Sequence, residues 1–225
     1  MGQKANPNDV RIGITTRWPS MWYADAKNFS RYLKQDICIR KFLSRKLTDA
    51  GISRIEIERT SAHTALIIHS SKPGVIIGRS GTAVEDLKKE LQKEFGENFE
   101  VTIREVKGPD LDAEILAESV AFQISRRVSF RRAAKGILKK AMDAGAKGAK
   151  VQISGRLNGA EISRTEFFLE GKIPLQTFRA DISYSSRRAE TTYGTIGIKV
   201  WIFRGEVFKN RLQKKMEMSP LAEAI

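Results

Sequence analysis

Apolar residues recur along this chain with two different periods, and the changes of period mark its elements. Phe29, Tyr32, Leu33, Ile37, Phe42, Leu43 and Leu47 follow near-helical spacing, which predicts a helix over 28–50 closed by Gly51. Alternation takes over in 53–60, where Ile55 and Ile57 interleave with Arg54, Glu56 and Glu58, the pattern of a half-buried strand. A more apolar strand is predicted over 64–70, a helix over 82–95 and a third strand over 99–106. After the turn cluster Lys107-Gly108-Pro109-Asp110 the helical period returns twice, over 112–126 and 130–144. Four strand-like runs close the chain, at 149–156, 162–170, 178–188 and 194–204. Helices packed on one face of a mainly antiparallel sheet make an α+β domain.

The same signals divide the chain. Residues 1–16 read as a basic, extended N-terminal arm, 17–107 as an N-terminal domain, 108–208 as a C-terminal α+β domain and 209–225 as a flexible tail. Trp18, Trp22 and Tyr23, gathered round Pro19, are expected to pack on a neighbouring element.

Between the second strand and the helix at 82–95 stands Val75-Ile76-Ile77-Gly78-Arg79-Ser80-Gly81. Two glycines three apart allow a tight turn and close backbone approach to a ligand, since neither carries a Cβ. The first amides of the following helix lack intrahelical acceptors and suit a phosphate. Arg79 adds a cation. Gly78, Arg79, Ser80 and Gly81 are therefore the candidate nucleic-acid-binding loop. No Gly-Lys-Ser/Thr follows, so this is not a Walker loop, and no Gly-x-Gly precedes it as in a dinucleotide fingerprint.

Charge narrows the partner. The 225 residues carry 40 Lys and Arg against 26 Asp and Glu, a net +14 that draws polyanions, nucleic acid before membrane. The helix at 130–144 concentrates this charge. Phe130, Ala134, Ile137 and Ala141 fall on one side, and Arg131, Arg132, Lys135 and Lys139 fall opposite. Only Asp143 is near enough in sequence to balance that stripe, so a polyanion is its natural counterpart. Lys4, Arg11, Arg127, Arg156, Arg164 and Arg179 are further candidate RNA contacts. Gly155, Asn158 and Gly159 suit a tight hairpin that needs no ligand.

Other chemistries find no support. No apolar run reaches the roughly 18 residues a spanning helix needs, and the first residues lack an apolar leader, so a chain without membrane contact is expected. Cys38 is the only cysteine, which excludes an intrachain disulfide and fits a reducing cytoplasm; its place on a mostly apolar helix predicts a core residue. His63 and His69 lack further ligands, and no paired carboxylates stand at magnesium-holding spacing. Neither a cofactor, a metal nor a catalytic residue is expected.

The helix-strand-strand-helix-turn-helix-strand order of the N-terminal part resembles a type II K-homology (KH) domain, whose Gly-x-x-Gly loop clamps about four nucleotides. Longer runs are similar to the bacterial family of ribosomal small-subunit protein 3. They include Met1-Gly2-Gln3-Lys4, Pro73-Gly74-Val75-Ile76-Ile77-Gly78, Arg126-Arg127-Val128-Ser129-Phe130-Arg131-Arg132-Ala133 and Gly194-Thr195-Ile196-Gly197-Ile198-Lys199-Val200-Trp201. The resemblance implies a structural, non-enzymatic component of the small-subunit head, in the cytoplasm, that binds small-subunit rRNA through both domains. It also implies a place beside the channel through which mRNA enters, with unwinding of structured mRNA assigned to Arg131, Arg132 and Lys135. Ribosomal small-subunit proteins 10, 14, 4 and 5 are the implied neighbours, and a homo-oligomer is not. Arg79-Ser80 stands where many members have Lys-Lys, which implies a weaker phosphate grip. From the residues alone, the alternative is a KH-type RNA-binding regulator that works off the ribosome.

Overall fold

The structure, a computed structural model, describes residues 4–60 and 63–208. The expected tail, 209–225, lies outside the described residues. The chain forms two compact units: one runs from Trp18 to Pro109, and the other joins the residues up to Arg17 to those from Asp110 on.

In the first unit the strands β1 (Ser20–Met21), β2 (Ile52–Arg59), β3 (Thr64–Ser70) and β4 (Phe99–Glu105) form a sheet in sequence order. β1 runs parallel to β2, β2 antiparallel to β3, and β3 parallel to β4. Helices α1 (Ala26–Lys46), α2 (Pro73–Ile77) and α3 (Thr82–Phe95) complete the unit. Alternation in β2 drives Ile55 and Ile57 into a core shared with Leu66 and Ile68 of β3 and Leu87 and Leu91 of α3. Each such fully buried side chain stabilises the fold by about 1.5–3 kcal/mol.

α1 presents a different face from the one its apolar spacing suggests. Ile39 and Leu43 are fully buried, whereas Phe29, Leu33 and Ile37 remain 45–49% exposed. Cys38, expected in the core, is exposed, one position round the helix from Ile39. The helix is held instead by a polar hub. The Asp36 carboxylate, 1% exposed, accepts hydrogen bonds from Ser20 Oγ (3.0 Å), Trp22 Nε1 (2.9 Å) and the Arg59 guanidinium (2.7 and 3.1 Å). These bonds tie β1 and α1 to β2, and they repay the cost of burying the charge. Trp22 also packs on Phe29 and Tyr32, while Trp18 and Tyr23 stay exposed.

The second unit is a four-stranded, fully antiparallel sheet in the order β6-β5-β8-β7, with β5 (Gly148–Gly155), β6 (Arg164–Gly171), β7 (Ala180–Thr191) and β8 (Gly194–Glu206). Helices α4 (Ala113–Ser125) and α5 (Phe130–Asp143) cover one face, to which alternate residues Val151, Ile153, Ile198, Val200 and Ile202 point. Asp112 caps α4, its side chain accepting the Glu114 amide at 2.9 Å. Arg187 of β7 and Glu114 form an ion pair across the same join.

Residues 4–16 do not form the extended arm expected of them. Asp9–Arg11 forms a 3-10 turn, and Arg11 is buried at 1% exposure in the second unit. Its guanidinium donates to the carbonyls of Pro7, Leu175, Thr177 and Ala180 at 2.8–3.0 Å. Arg11 is therefore no surface contact for RNA, as its charge and position suggested, but the pin of the N-terminal segment. Burial lowers its pKa, and nearby Asp181 pushes the other way.

Candidate nucleic-acid interface

The Gly-x-x-Gly loop sits between two helices. α2 stops at Ile77, Gly78 turns the chain, Arg79–Gly81 form a 3-10 turn, and α3 starts at Thr82. The two glycines serve unequal purposes. Gly78 has φ 70° and ψ −172°, a region essentially closed to other residues, and a Cβ there would lie 2.6 Å from that of Ala83. Gly81 is left-handed at φ 81°, but the space round it is open. Arg79 is exposed, and Val75 and Ile77 expose apolar surface beside it. The arrangement offers a cation, helix-start amides and apolar surface on one short segment.

α5 is amphipathic as its spacing suggests. Phe130, Ala133, Ala134, Ile137, Leu138 and Ala141 are buried, and Arg131, Arg132, Lys135 and Lys139 are exposed. The stripe is not uniform, however. Glu166 of β6 approaches Arg131 to 3.4 Å and also Arg164 to 3.2 Å. Sequence proximity gave no sign of this acid, because it arrives from the neighbouring strand.

The other candidate cations differ in availability. Lys4 is exposed. Arg127 is exposed and left-handed at φ 63°, where its amide bonds back to Ile124 as α4 ends. Arg156 donates to the carbonyls of Ala160 (2.9 Å) and Tyr193 (3.2 Å), bracing the turn at 155–160, where Gly155, Asn158 and Gly159 all have positive φ. Arg179 pairs with Glu206 at 2.6 Å, and Arg164 with Glu166. A guanidinium has five N–H donors, so these pairs reduce rather than abolish its capacity for phosphate.

No group of three or more His, Cys, Asp or Glu able to hold a metal exists among the described residues, and no described helix is long and apolar enough to cross a membrane. His69 Nε2 lies 3.4 Å from Glu56 Oε2, and the imidazole holds that carboxyl below the usual range; burial opposes the shift, and Arg54 and Arg104 add to it.

A strand–helix–Gly-x-x-Gly–helix–strand unit with a cationic loop, followed by a unit whose second helix, α5, is lined with cations, defines an RNA-binding protein of the type II KH class. Residues 38–111 match the KH domain family model, and 120–202 match that of ribosomal protein S3, C-terminal domain. The small ribosomal subunit protein uS3 of Desulforudis audaxviator is 52% identical over 96% of this chain and 99% of its own length. That of Pelotomaculum thermopropionicum is 54% identical over 92% of this chain and 90% of its own. That of Pseudomonas aeruginosa is 49% identical over 100% of this chain and 97% of its own. The chain belongs to the small ribosomal subunit protein uS3 family, a family of structural ribosomal proteins and not of enzymes.

Proposed function

We propose that the protein is a structural component of the small-subunit head that binds small-subunit rRNA, and that α5 lines the channel through which mRNA enters. The observation that carries the second part is the exposed row Arg131, Arg132, Lys135 and Lys139 on a helix whose opposite face is locked into the core. A fixed row of cations grips the phosphates of an incoming strand and resists re-pairing behind it, with no nucleotide consumed. Rigid backing matters, because cations on a mobile segment would move with the strand they hold. The loop at 78–81 contributes rRNA affinity through Arg79 and its backbone amides. Lys4, Arg127, Arg156, Arg164 and Arg179 add weaker contacts in proportion to the donors their internal bonds leave over. The neighbours in this reading are small-subunit proteins 10, 14, 4 and 5, and the chain is not a homo-oligomer.

The test has two parts. The chain should comigrate near-stoichiometrically with the small subunit on a sucrose gradient at high salt; a salt-labile trace would favour an off-ribosome regulator instead. Ribosomes carrying Arg131→Ala, Arg132→Ala and Lys135→Ala together should assemble normally and pause longer at mRNA hairpins. Unchanged pausing would remove the channel role while leaving the rRNA-binding role in place.

A further inference from the structure

The face of the C-terminal sheet turned away from α4 and α5 has an order of its own. Residues directly opposite across antiparallel strands share a face, so the register assigns each row. Thr165, Ser154, Gly197 and Arg188 form one row across β6, β5, β8 and β7. Phe167, Gln152, Lys199 and Ser186 form the next. Leu169, Lys150, Trp201 and Tyr184 form the third. Beyond it, the face is closed by the segments at 4–11 and 173–177, where Ile173 and Leu175 pack on Ile182, Trp201 and Phe203.

These three rows carry Arg188, Lys199 and Lys150 and no carboxylate; Glu190, opposite Thr195 in the next row past Arg188, is the acid that borders them. Phe167 is 63% exposed, and the Lys150 ammonium lies 5.1 Å from its ring centre and 5.2 Å from that of Trp201. Where Gly197 carries no side chain, a recess of about 420 Å³ opens between Ser154, Thr165 and Arg188. An exposed ring flanked by cations on a pleated surface is suited to stacking a base while holding its phosphates. Phe167 and Leu169 are the large apolar residues exposed on these rows, an area too small and too interrupted by charge for stable protein docking.

We propose that this open sheet face is a second binding surface for single-stranded RNA, separate from α5 and the 78–81 loop. A base stacks on Phe167, and the flanking phosphates meet Lys199 and Arg188, one of them at the recess beside Gly197. The proposal rests on the RNA-binding reading of the chain and adds a site to it.

The test is photocrosslinking of the full chain to a single-stranded oligoribonucleotide carrying 4-thiouridine, with the adducts located by mass spectrometry. An adduct on the peptide containing Phe167 is expected, and it should persist in Arg79→Asp protein. Phe167→Ala should weaken binding at least about fivefold, the lower end of what losing one base–aromatic stack costs. Lys199→Ala and Arg188→Ala should each lower the salt slope by about 0.7. Phe167 and Lys199 are exposed, so an unchanged urea midpoint would separate lost contact from lost fold. Adducts confined to α5 or the 78–81 loop, with wild-type affinity in these variants, would overturn the sheet site and leave the RNA-binding reading standing. Failure to bind any RNA would overturn both. In intact subunits, crosslinks from Lys199 to protein alone would show that the face docks a protein and overturn the proposal.

Discussion

Nη2 of Arg131 lies 3.4 Å from Oε1 of Glu166, and Nε of Arg164 lies 3.2 Å from the same oxygen. One carboxylate from β6 thus partly neutralises the first cation of the α5 stripe and its neighbour at the sheet edge. All three side chains are solvent-accessible, so the pairing itself contributes little stability. Its consequence is for phosphate binding. Glu166→Gln should leave the unfolding midpoint nearly unchanged and strengthen RNA binding at low salt. With a single-stranded RNA the salt slope should steepen by up to about 0.7 for each cation released. Titrations by fluorescence anisotropy at several salt concentrations would check this; equal slopes in both proteins would show that neither Arg131 nor Arg164 meets a phosphate.

The two glycines of the loop should respond differently to substitution. Gly78→Ala places a Cβ 2.6 Å from Ala83 in a backbone region that only glycine populates readily, so a loss of about 2 kcal/mol or more is expected. Gly81→Asn keeps a left-handed conformation that Asn tolerates and meets nothing within 4 Å, so the cost should stay below about 1 kcal/mol. Denaturant unfolding of the two variants would show the asymmetry, and equal losses would refute it.

Arg11 should behave as a structural residue and not as an RNA contact. Arg11→Ala leaves the carbonyls of Pro7, Leu175, Thr177 and Ala180 without their donor in a buried site, at a cost of about 3 kcal/mol or more. Arg11→Lys retains the charge but not the planar fork, and should recover only a minor part. Under conditions where the variants remain folded, their RNA affinity and salt slope should match the wild type. A reduced slope would mean that Arg11 reaches phosphate after all.

Glu56 makes the Trp18–Pro109 unit sensitive to acid. Its carboxyl is held below the ordinary range, first by the adjoining His69 imidazole and then by Arg54 and Arg104, against the opposing effect of burial. A depressed carboxyl stabilises the fold above its unfolded pKa, and that contribution is lost as pH falls through the folded value. Between about pH 5 and pH 3 the wild type should therefore lose stability faster than Glu56→Gln. Urea midpoints measured across that interval would check the difference, and parallel curves would show that the His69 pairing does not matter energetically.

The elements themselves were legible in the order of residues because they depend on neighbours. The spacing of Phe130, Ala134, Ile137 and Ala141 identified the buried side of α5, and the strand at 64–70 and the helix at 82–95 begin and end in the structure where the pattern places them. The Gly-x-x-Gly loop was visible for the same reason, since a turn of four residues is a local event. What the order could not disclose was pairing between distant residues. β1 is two residues long, too short for any period to register, and exists because β2 accepts it. Asp36 reads as one more acid on a helix, yet Ser20, Trp22 and Arg59 converge on it. Phe29, Leu33 and Ile37 share the helical spacing of core residues, but the sheet covers the other side of α1.

By itself, then, the sequence determined the local periods, the turns, the basic stripe and the family, because each is written in residues close together or in runs matched as runs. The tertiary structure decided which charges are available. It buried Arg11, bridged Arg131 to Arg164 through Glu166 and aligned Lys199, Arg188 and Phe167 on one open face. The physical reason is that charge acts through space. Its partners are set by strand register and by the order β6-β5-β8-β7, and neither can be read from any single stretch of the chain.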